Sequence, residues 1–337
     1  MFIYNAVLAF NSWIWGIPIL IILIGGGLYL SFITGFVQVR HFPTIIKSTV
    51  GSMFNKEEMK EETGKHHGTI SSFQAVSAAL AAVLGTGNIV GVGTAIAAGG
   101  PGAIFWMWVV GFVAMALKYS EACVSIAVRE KKPEGGYKGG ANYYLSKINK
   151  PLGFAWSIAI MYGLITAAGV HTGSVVTAAE SLGVPRLVAT IIVCIIIALI
   201  IFGGLQALVQ ITERLVPFMA AIYILAGLAV VVLNIGNLVP AFVSIFKGAF
   251  TGTAALGGFA GATVSAAIRN GCARGVYSSD AGNGQSSIAY SQSSETDPVK
   301  QGMWGVFEVF FDTIVVCTFT ALVILCTGVW QTGEAGS

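Results

Sequence analysis

Long apolar stretches constrain this sequence more than any other feature. A helix needs about 20 predominantly apolar residues to cross the roughly 30 Å hydrocarbon layer of a membrane. Eight such stretches cover residues 13–36, 71–99, 103–128, 152–178, 186–205, 214–234, 252–273 and 301–329. Only 10% of the residues are charged, whereas a soluble domain has about 25%. We therefore expect an all-α polytopic membrane protein with eight spans, and a soluble enzyme is excluded.

The basic residues predict the orientation of these spans. If the N-terminus lies outside, 15 of the 18 Lys and Arg residues fall in inner loops or at inner helix ends. Arg186 and Lys247 lie outside, and Lys118 lies within the third span. Inner loops of membrane proteins carry the excess of Lys and Arg. The sequence therefore predicts an N-terminus outside, and the formal charge of +3 is too small to indicate a nucleic-acid partner.

Motifs for metal binding or enzymatic catalysis do not occur in the sequence. The adjacent His66 and His67 have no Cys, Asp or Glu at a ligand spacing, and the five cysteines have no C-x-x-C spacing. Neither a G-K-[ST] phosphate loop nor an H-E-x-x-H or G-x-S-x-G motif is present. The stretch Arg40 to His67 is interpreted as a loop with a solvated or interfacial helix. We expect no cofactor and no resident metal.

The centre of the second span is a poor helix sequence. It reads Gly85-Thr86-Gly87-Asn88, with Gly91 close behind. Each glycine costs about 1 kcal/mol relative to alanine in a helix interior, so the helix is easy to interrupt here. Backbone groups freed at membrane depth are tolerated only where they line a cavity or bind something. The glycines either let a neighbouring helix approach or mark a ligand site, and the carboxamide of Asn88 favours the site.

The seventh span repeats this pattern. Gly257, Gly258 and Gly261 interrupt it, with Phe259 and Thr263 close by. Two glycine-interrupted spans in corresponding positions of two halves indicate the binding site of a secondary transporter. Five helices separate their starts, which predicts an inverted repeat. The predicted organisation of the single domain 1–337 is an extra helix and loop (1–70), a first repeat (71–234) and an incomplete second repeat (252–337).

A few polar side chains lie within the spans. Lys118 and Glu121 are three residues apart on one helix and are expected to neutralise each other. For Glu308 and Asp312 we favour a structural or gating role over direct ligation. His171 is either a packing residue or a contact to the substrate.

Four segments resemble the alanine or glycine:cation symporters, also called sodium:alanine symporters or amino acid carrier proteins. The segments are GTGNIVGVGTAIAAGGPGAIFWMW (85–108), PEGGYKGGANYYL (133–145), IRNGCARGVYSSDAGNGQ (268–285) and DPVKQGMWGVFEVFFDTIVVCT (297–318). The likeness runs through essentially the whole chain in the same order. This sequence differs at the fourth span, where His171 replaces a common glutamine, at Ala141 in the tyrosine loop, and in the turn Ser278-Ser279-Asp280-Ala281-Gly282.

The resemblance implies a leucine-transporter-like fold with one extra N-terminal helix, and a multi-pass protein of the plasma membrane. It implies symport of alanine or glycine with Na⁺, or with H⁺. The substrate site would comprise Thr86, Gly87, Asn88, His171, Phe259 and Thr263. Carbonyls of Ala81 and Leu84 would bind the cation, since half-helix ends suit a carboxylate and freed carbonyls suit Na⁺.

Length separates this sequence from the family. Members have three further helices, so we expect a C-terminally truncated chain of eight spans. The alternative function is therefore a non-transporting remnant, receptor or scaffold in the lipid bilayer.

Overall fold

The computed structural model describes residue 5 and residues 17–53, 70–133, 135–251 and 263–332. The first helices of this part are α1 (Ile17–Ile33), α2 (Val37–Arg40), α3 (Phe42–Met53), α4 (Ser72–Val83), α5 (Val92–Gly99), α6 (Gly102–Val128) and α7 (Ala141–Ile148). They are followed by α8 (Lys150–Ser181), α9 (Arg186–Phe202), α10 (Gly204–Leu233), α11 (Leu238–Thr251), α12 (Val264–Ser279), α13 (Ser286–Ser291), α14 (Pro298–Val309) and α15 (Cys317–Thr327).

Other regular structure is short. Two π-helical segments, Gly87–Gly91 and Phe310–Val316, precede α5 and α15. The 3₁₀ segments are Ile235–Asn237 and Val329–Thr332. Strands β1 (Glu130–Lys131) and β2 (Tyr137–Lys138) form an antiparallel pair in the loop after α6. The described residues therefore form an all-α protein apart from this small hairpin.

Four of the eight predicted spans are helices long and apolar enough to cross a membrane. They run over Gly102–Val128, Lys150–Ser181, Ala207–Leu233 and Pro298–Thr327. A fifth candidate is the pair formed by Ser72–Val83 and Gly87–Gly99, which bends by 54° at its break. The helices in the spans predicted at 13–36 and 186–205 are shorter apolar helices, Pro18–Ile33 and Arg186–Phe202. The count of eight therefore stays a prediction.

Several sequence-based expectations fall outside the described residues. They concern the helix within the loop at 54–69, including His66 and His67, and the interrupted part of the seventh span, including Phe259. The described part of that span is the capping residue Thr263 and the helix α12, which continues to Ser279.

Local capping chemistry sets the starts of two helices beside the site. Ser71 caps α4 in a reciprocal capping box with Gln74, in which each side chain accepts from the other residue's amide. Asp297 caps α14 by accepting from the amide of Val299, and Pro298 follows at the first helical position. The last span therefore begins at Pro298, three residues earlier than apolarity alone indicated.

Helix α6 lies at the centre of the packing, between α12 and α14. Glycines permit the close approach of these helices. A Cβ at Gly271 of α12 would lie 2.1 Å from the carbonyl oxygen of Ala103, and one at Gly305 of α14 would lie 2.8 Å from that of Lys118. At these positions the glycines therefore bring backbones together, as in closely packed membrane helices.

Helices α8, α9 and α10 present broad apolar surfaces outward. Ile165, Phe202 and Leu225 are exposed examples, one from each helix. Exposed apolar patches of this extent are unusual on a soluble monomer, whereas they suit contact with lipid tails. These three helices therefore have the surface expected of membrane-spanning segments.

Candidate functional site

The break between α4 and α5 lies where the sequence predicted it. Leu84 has an extended conformation (φ −70°, ψ 107°) and ends α4. The amide of Gly85 donates to Oδ1 of Asn88 (2.9 Å), and the amide of Asn88 donates to the carbonyl of Gly85 (3.2 Å). In a continuous helix these amides would donate to the carbonyls of Ala81 and Leu84. The Asn88 carboxamide therefore holds the break by taking the Gly85 amide away from the Ala81 carbonyl, and the Gly85 carbonyl takes the Asn88 amide away from that of Leu84.

The side chain of Asn88 connects the break to two other helices. Its Nδ2 donates to Oδ1 of Asp312 (2.8 Å) and to the hydroxyl of Ser278 at the end of α12 (3.2 Å). Its backbone carbonyl accepts from the hydroxyl of Thr320 on α15 (2.7 Å), which in turn contacts the Tyr223 hydroxyl (2.6 Å). The buried Asn88 thus joins elements distant in sequence, as expected of a polar group at membrane depth.

Asp312 is the acidic residue of this site. It lies in the second π-helical segment, is fully buried, and was expected to have a structural or gating role. Besides Asn88, its carboxylate accepts from the hydroxyls of Ser278 (2.6 Å) and Thr313 (2.9 Å). All these donors are neutral, and among the described residues no Lys, Arg or His forms an ion pair with it. The negative charge of Asp312 is therefore solvated by hydrogen bonds without a matching positive charge.

The partners of Asp312 are mostly distant in sequence. Apart from Thr313, the partners of Asp312 lie more than 30 positions away in the sequence, so its spacing from Glu308 could not indicate them. The usable signal in the sequence was an acidic residue inside an otherwise apolar span, since such residues mark substrate and ion pathways.

His171 and Gly87 complete the surroundings of the break. Nδ1 of His171, on α8, lies 3.0 Å from the Thr86 hydroxyl, within hydrogen-bond distance. A Cβ at Gly87 would lie 3.4 Å from the Tyr277 ring, so α12 packs directly against the backbone there. The structure thus brings Thr86, Gly87, Asn88 and His171 together, as the sequence analysis expected.

A small cavity of about 70 Å³ opens beside this cluster. Its walls are mainly apolar and come from the break, α10 and the second π segment. The lining residues are Leu84, Gly85, Asn88, Ile89, Met219, Ala220, Tyr223 and Val316. Pockets for drug-sized ligands measure about 300–1,000 Å³, so this space suits a small ligand or an ion.

Two expected pocket residues are not part of the described cluster. Thr263 is exposed and caps the start of α12, where its hydroxyl accepts from the amide of Ala266 (3.2 Å). At 1.5 Å per residue it lies roughly 22 Å along α12 from Ser278. Its role as a pocket wall stays a prediction, as does that of Phe259, which lies outside the described residues.

Comparison with known proteins gives matches along nearly the whole chain. A model of the sodium:alanine symporter family matches residues 1–337. The uncharacterized transporter YflA of Bacillus subtilis is 41% identical over 331 residues, which are 97% of this chain and 68% of that protein. The sodium/alanine symporter AgcS of Methanococcus maripaludis is 42% identical over 329 residues, 94% of this chain and 69% of that protein. A putative sodium/proton-dependent alanine carrier protein of Bacillus subtilis, YrbD, is 38% identical over 98% of this chain and 66% of its own.

Proposed function

Because the chain belongs to the sodium:alanine symporter family, we propose that it carries alanine or glycine across the plasma membrane together with Na⁺. The observation that carries this proposal is the buried Asp312 carboxylate beside a helix break, bonded only to neutral donors among the described residues. A buried charge without a counter-charge is costly. A bound cation would supply the counter-charge.

The two ligands would use different parts of the break. The carbonyls of Ala81 and Leu84, which lose their usual helical donors, are the proposed cation ligands. The amides of Thr86 and Gly87, at the start of the second half-helix, would receive the substrate carboxylate, since helix N-termini favour anions. His171 and Asn88 border this position, and we propose Phe259 and Thr263 as further walls.

The architecture proposed for this function is leucine-transporter-like, with one extra N-terminal helix and the N-terminus outside. The 54° break in the first core helix supports it, because transporters of this kind bind their substrates at discontinuous helices. The proposed limits are an extra helix and loop at 1–70, a first repeat at 71–234 and a second repeat from 252. Eight spans would then lie within residues 1–337.

The alternative is a receptor or remnant that binds the amino acid without moving it. The family match over the whole chain favours transport. The cation is a further choice, since the printed name of one relative includes both sodium and proton. We propose Na⁺ because freed backbone carbonyls suit a hard metal cation.

Uptake of labelled alanine into proteoliposomes, driven by an inward Na⁺ gradient, tests the proposal. Asp312→Asn keeps the side-chain shape and removes the charge, so we expect Na⁺-driven uptake to fall at least tenfold. Gly87→Leu and Asn88→Leu should abolish it. Glu180→Gln, at the exposed end of α8, is the matched control and should transport normally.

Two outcomes would contradict the proposal. Uptake that depends on neither the Na⁺ nor the H⁺ gradient would show that transport is not coupled to a cation. Saturable alanine binding without uptake in the unaltered chain would support the receptor alternative. Thermal unfolding in detergent separates misfolding from loss of function, since Na⁺ should stabilise the unaltered protein but not a folded Asp312→Asn variant.

A further inference from the structure

A second set of charged side chains lies buried away from Asn88. The buried-charge cluster consists of Lys118 and Glu121 on α6, Glu308 on α14, and Asp280 in the turn after α12. Lys118 and Glu308 have no exposed side-chain surface, and the side chain of Glu121 retains 8%. One basic and three acidic groups leave a surplus of two negative charges if all are ionised. Such a surplus is costly without exposure to water.

Lys118 pairs with Glu308 more closely than with Glu121. Its ammonium donates to the hydroxyl of Ser286 (2.8 Å) and the carbonyl of Asp280 (3.2 Å), and lies 3.4 Å from Oε1 of Glu308. The neutralising partner expected from the sequence was Glu121, whose Oε2 is 4.0 Å away. Three acceptors match the three hydrogens of the ammonium. Lys118 and Glu308 therefore form a neutral, well-bonded pair.

Glu308 has donors for both carboxylate oxygens. The Ser286 hydroxyl donates to Oε1 (3.0 Å), and the Tyr290 hydroxyl donates to Oε2. A carboxylate that accepts several hydrogen bonds is stable in its ionised form. Among the acids of the cluster, Glu308 thus has hydrogen-bond donors for both of its carboxylate oxygens as well as the Lys118 ammonium beside it.

Glu121 lacks comparable partners. Its Oε2 accepts a long hydrogen bond from the amide of Gly282 (3.5 Å), the amide of Gly284 also lies near the carboxylate, and Oε1 accepts no hydrogen bond of this length or shorter from the described residues. A metal cation at Oε1 would be repelled by the Lys118 ammonium close to the other oxygen. Protonation, by contrast, makes the carboxyl group neutral, so that no metal cation is needed beside it. The Glu121 side chain keeps 8% of its surface exposed, although Oε1 itself is buried.

The other titratable groups near Glu121 also favour a bound proton over a metal cation. Burial raises the pKa of Asp280 to about 6, so the turn adds a second acid that resists ionisation. Burial also raises the pKa of Tyr144 and Tyr290, so these phenols from α7 and α13 stay neutral. Asp312, one helical turn beyond Glu308, adds negative charge near Asp280. Among these neighbours Lys118 alone is positive, and Glu308 already engages it.

We propose that Glu121 is a proton-binding site, whose carboxylate takes a proton from hydronium, leaving water, and returns it as the pH rises. The Lys118–Glu308 ion pair stays in place through this exchange. If the transport function proposed above holds, the proton is positioned to modulate it. Asp280, whose carbonyl binds Lys118, lies two residues beyond Ser278, which contacts Asn88 and Asp312.

The first test needs no transport. The full chain is titrated in detergent while proton release and the infrared C=O band of protonated carboxyls are measured. Above about pH 5.5 a surface glutamate is already ionised, so the C=O band reports buried acids, and the protons that the four histidines release are common to all variants and cancel in the comparison. Glu121→Gln should release one proton fewer per chain and lose the corresponding band. Glu180→Gln, an exposed acid, should match the unaltered protein over this range.

Folding of the variant is controlled by a second substitution. Glu121→Asp keeps a carboxyl group, so it should retain the proton and shift the midpoint of its titration. The proposal is overturned if Glu121→Gln folds and releases as many protons as Glu180→Gln. It is also overturned if the unaltered chain shows no protonated carboxyl band above pH 5.5.

A second measurement separates this proposal from the proposed transport function. Alanine uptake is followed between about pH 5.5 and 8 with a constant Na⁺ gradient, a range that spans the titration of a moderately shifted carboxyl. Glu121→Gln should reduce the dependence of uptake on pH at least threefold relative to Glu180→Gln. If no variant transports alanine, the function proposal fails while the proton count still decides the role of Glu121.

Discussion

At the scale of single residues, the stability of the protein depends on the buried ion pair of Lys118. The side chain has no exposed surface and gives Glu308 its positive partner. We predict that Lys118→Met destabilises the protein by about 3–5 kcal/mol, because removing one member of a buried pair leaves the other charge uncompensated. Thermal unfolding in detergent measures the loss.

The double variant Lys118→Met/Glu308→Gln provides the control for this prediction. It removes both charges of the pair, so we expect it to regain at least half of the stability lost by Lys118→Met alone. If the stability lost by the double variant equals the sum of the losses in Lys118→Met and Glu308→Gln, the ion pair is not the source of the effect.

At the scale of elements, the contact of α6 with α12 depends on glycine. A Cβ at Gly271 would lie 2.1 Å from a backbone oxygen of α6, and a backbone atom cannot move aside as a flexible side chain can. We predict that Gly271→Ala destabilises the protein by about 1–3 kcal/mol or more, through overpacking. Thermal unfolding of the purified variant measures it.

Gly169→Ala is the matched control for the packing of α6 and α12. Gly169 lies inside α8 with no atom within 4 Å of an added Cβ. Alanine is a better helix former than glycine, so the change should be neutral or stabilising by up to about 1 kcal/mol. Equal losses at the two positions would mean that glycine content, and not the helix contact, sets stability.

At the scale of the whole molecule, the distribution of Lys and Arg predicts which loops face the cytoplasm. Ser181, at the end of α8, should lie outside, and Lys147, at the end of α7, should lie inside. In a Cys194→Ser background, which lacks the exposed cysteine, we predict that Ser181→Cys reacts with a membrane-impermeant thiol reagent in intact cells. Lys147→Cys should react only after permeabilisation. The reverse labelling pattern would show that the N-terminus lies inside.

The sequence by itself determined the helical membrane character and the helix break at Gly85 to Asn88. Both follow from local properties: apolar length sets a span, and a cluster of glycines disfavours a continuous helix. The sequence also led to the hypothesis that His171 and the helix break belong to one site, which the contact of His171 with Thr86 supports.

Only the tertiary structure decided the partners of the buried charges. Asp312 accepts hydrogen bonds from Asn88 and Ser278. The Lys118 ammonium lies closer to Glu308 than to Glu121, which is three residues along its own helix. The physical reason is that helix periodicity fixes which residues share a face, whereas the packing of α6, α12 and α14 fixes what that face meets. The energy of a buried charge depends on those neighbours, so sequence spacing alone could not assign it.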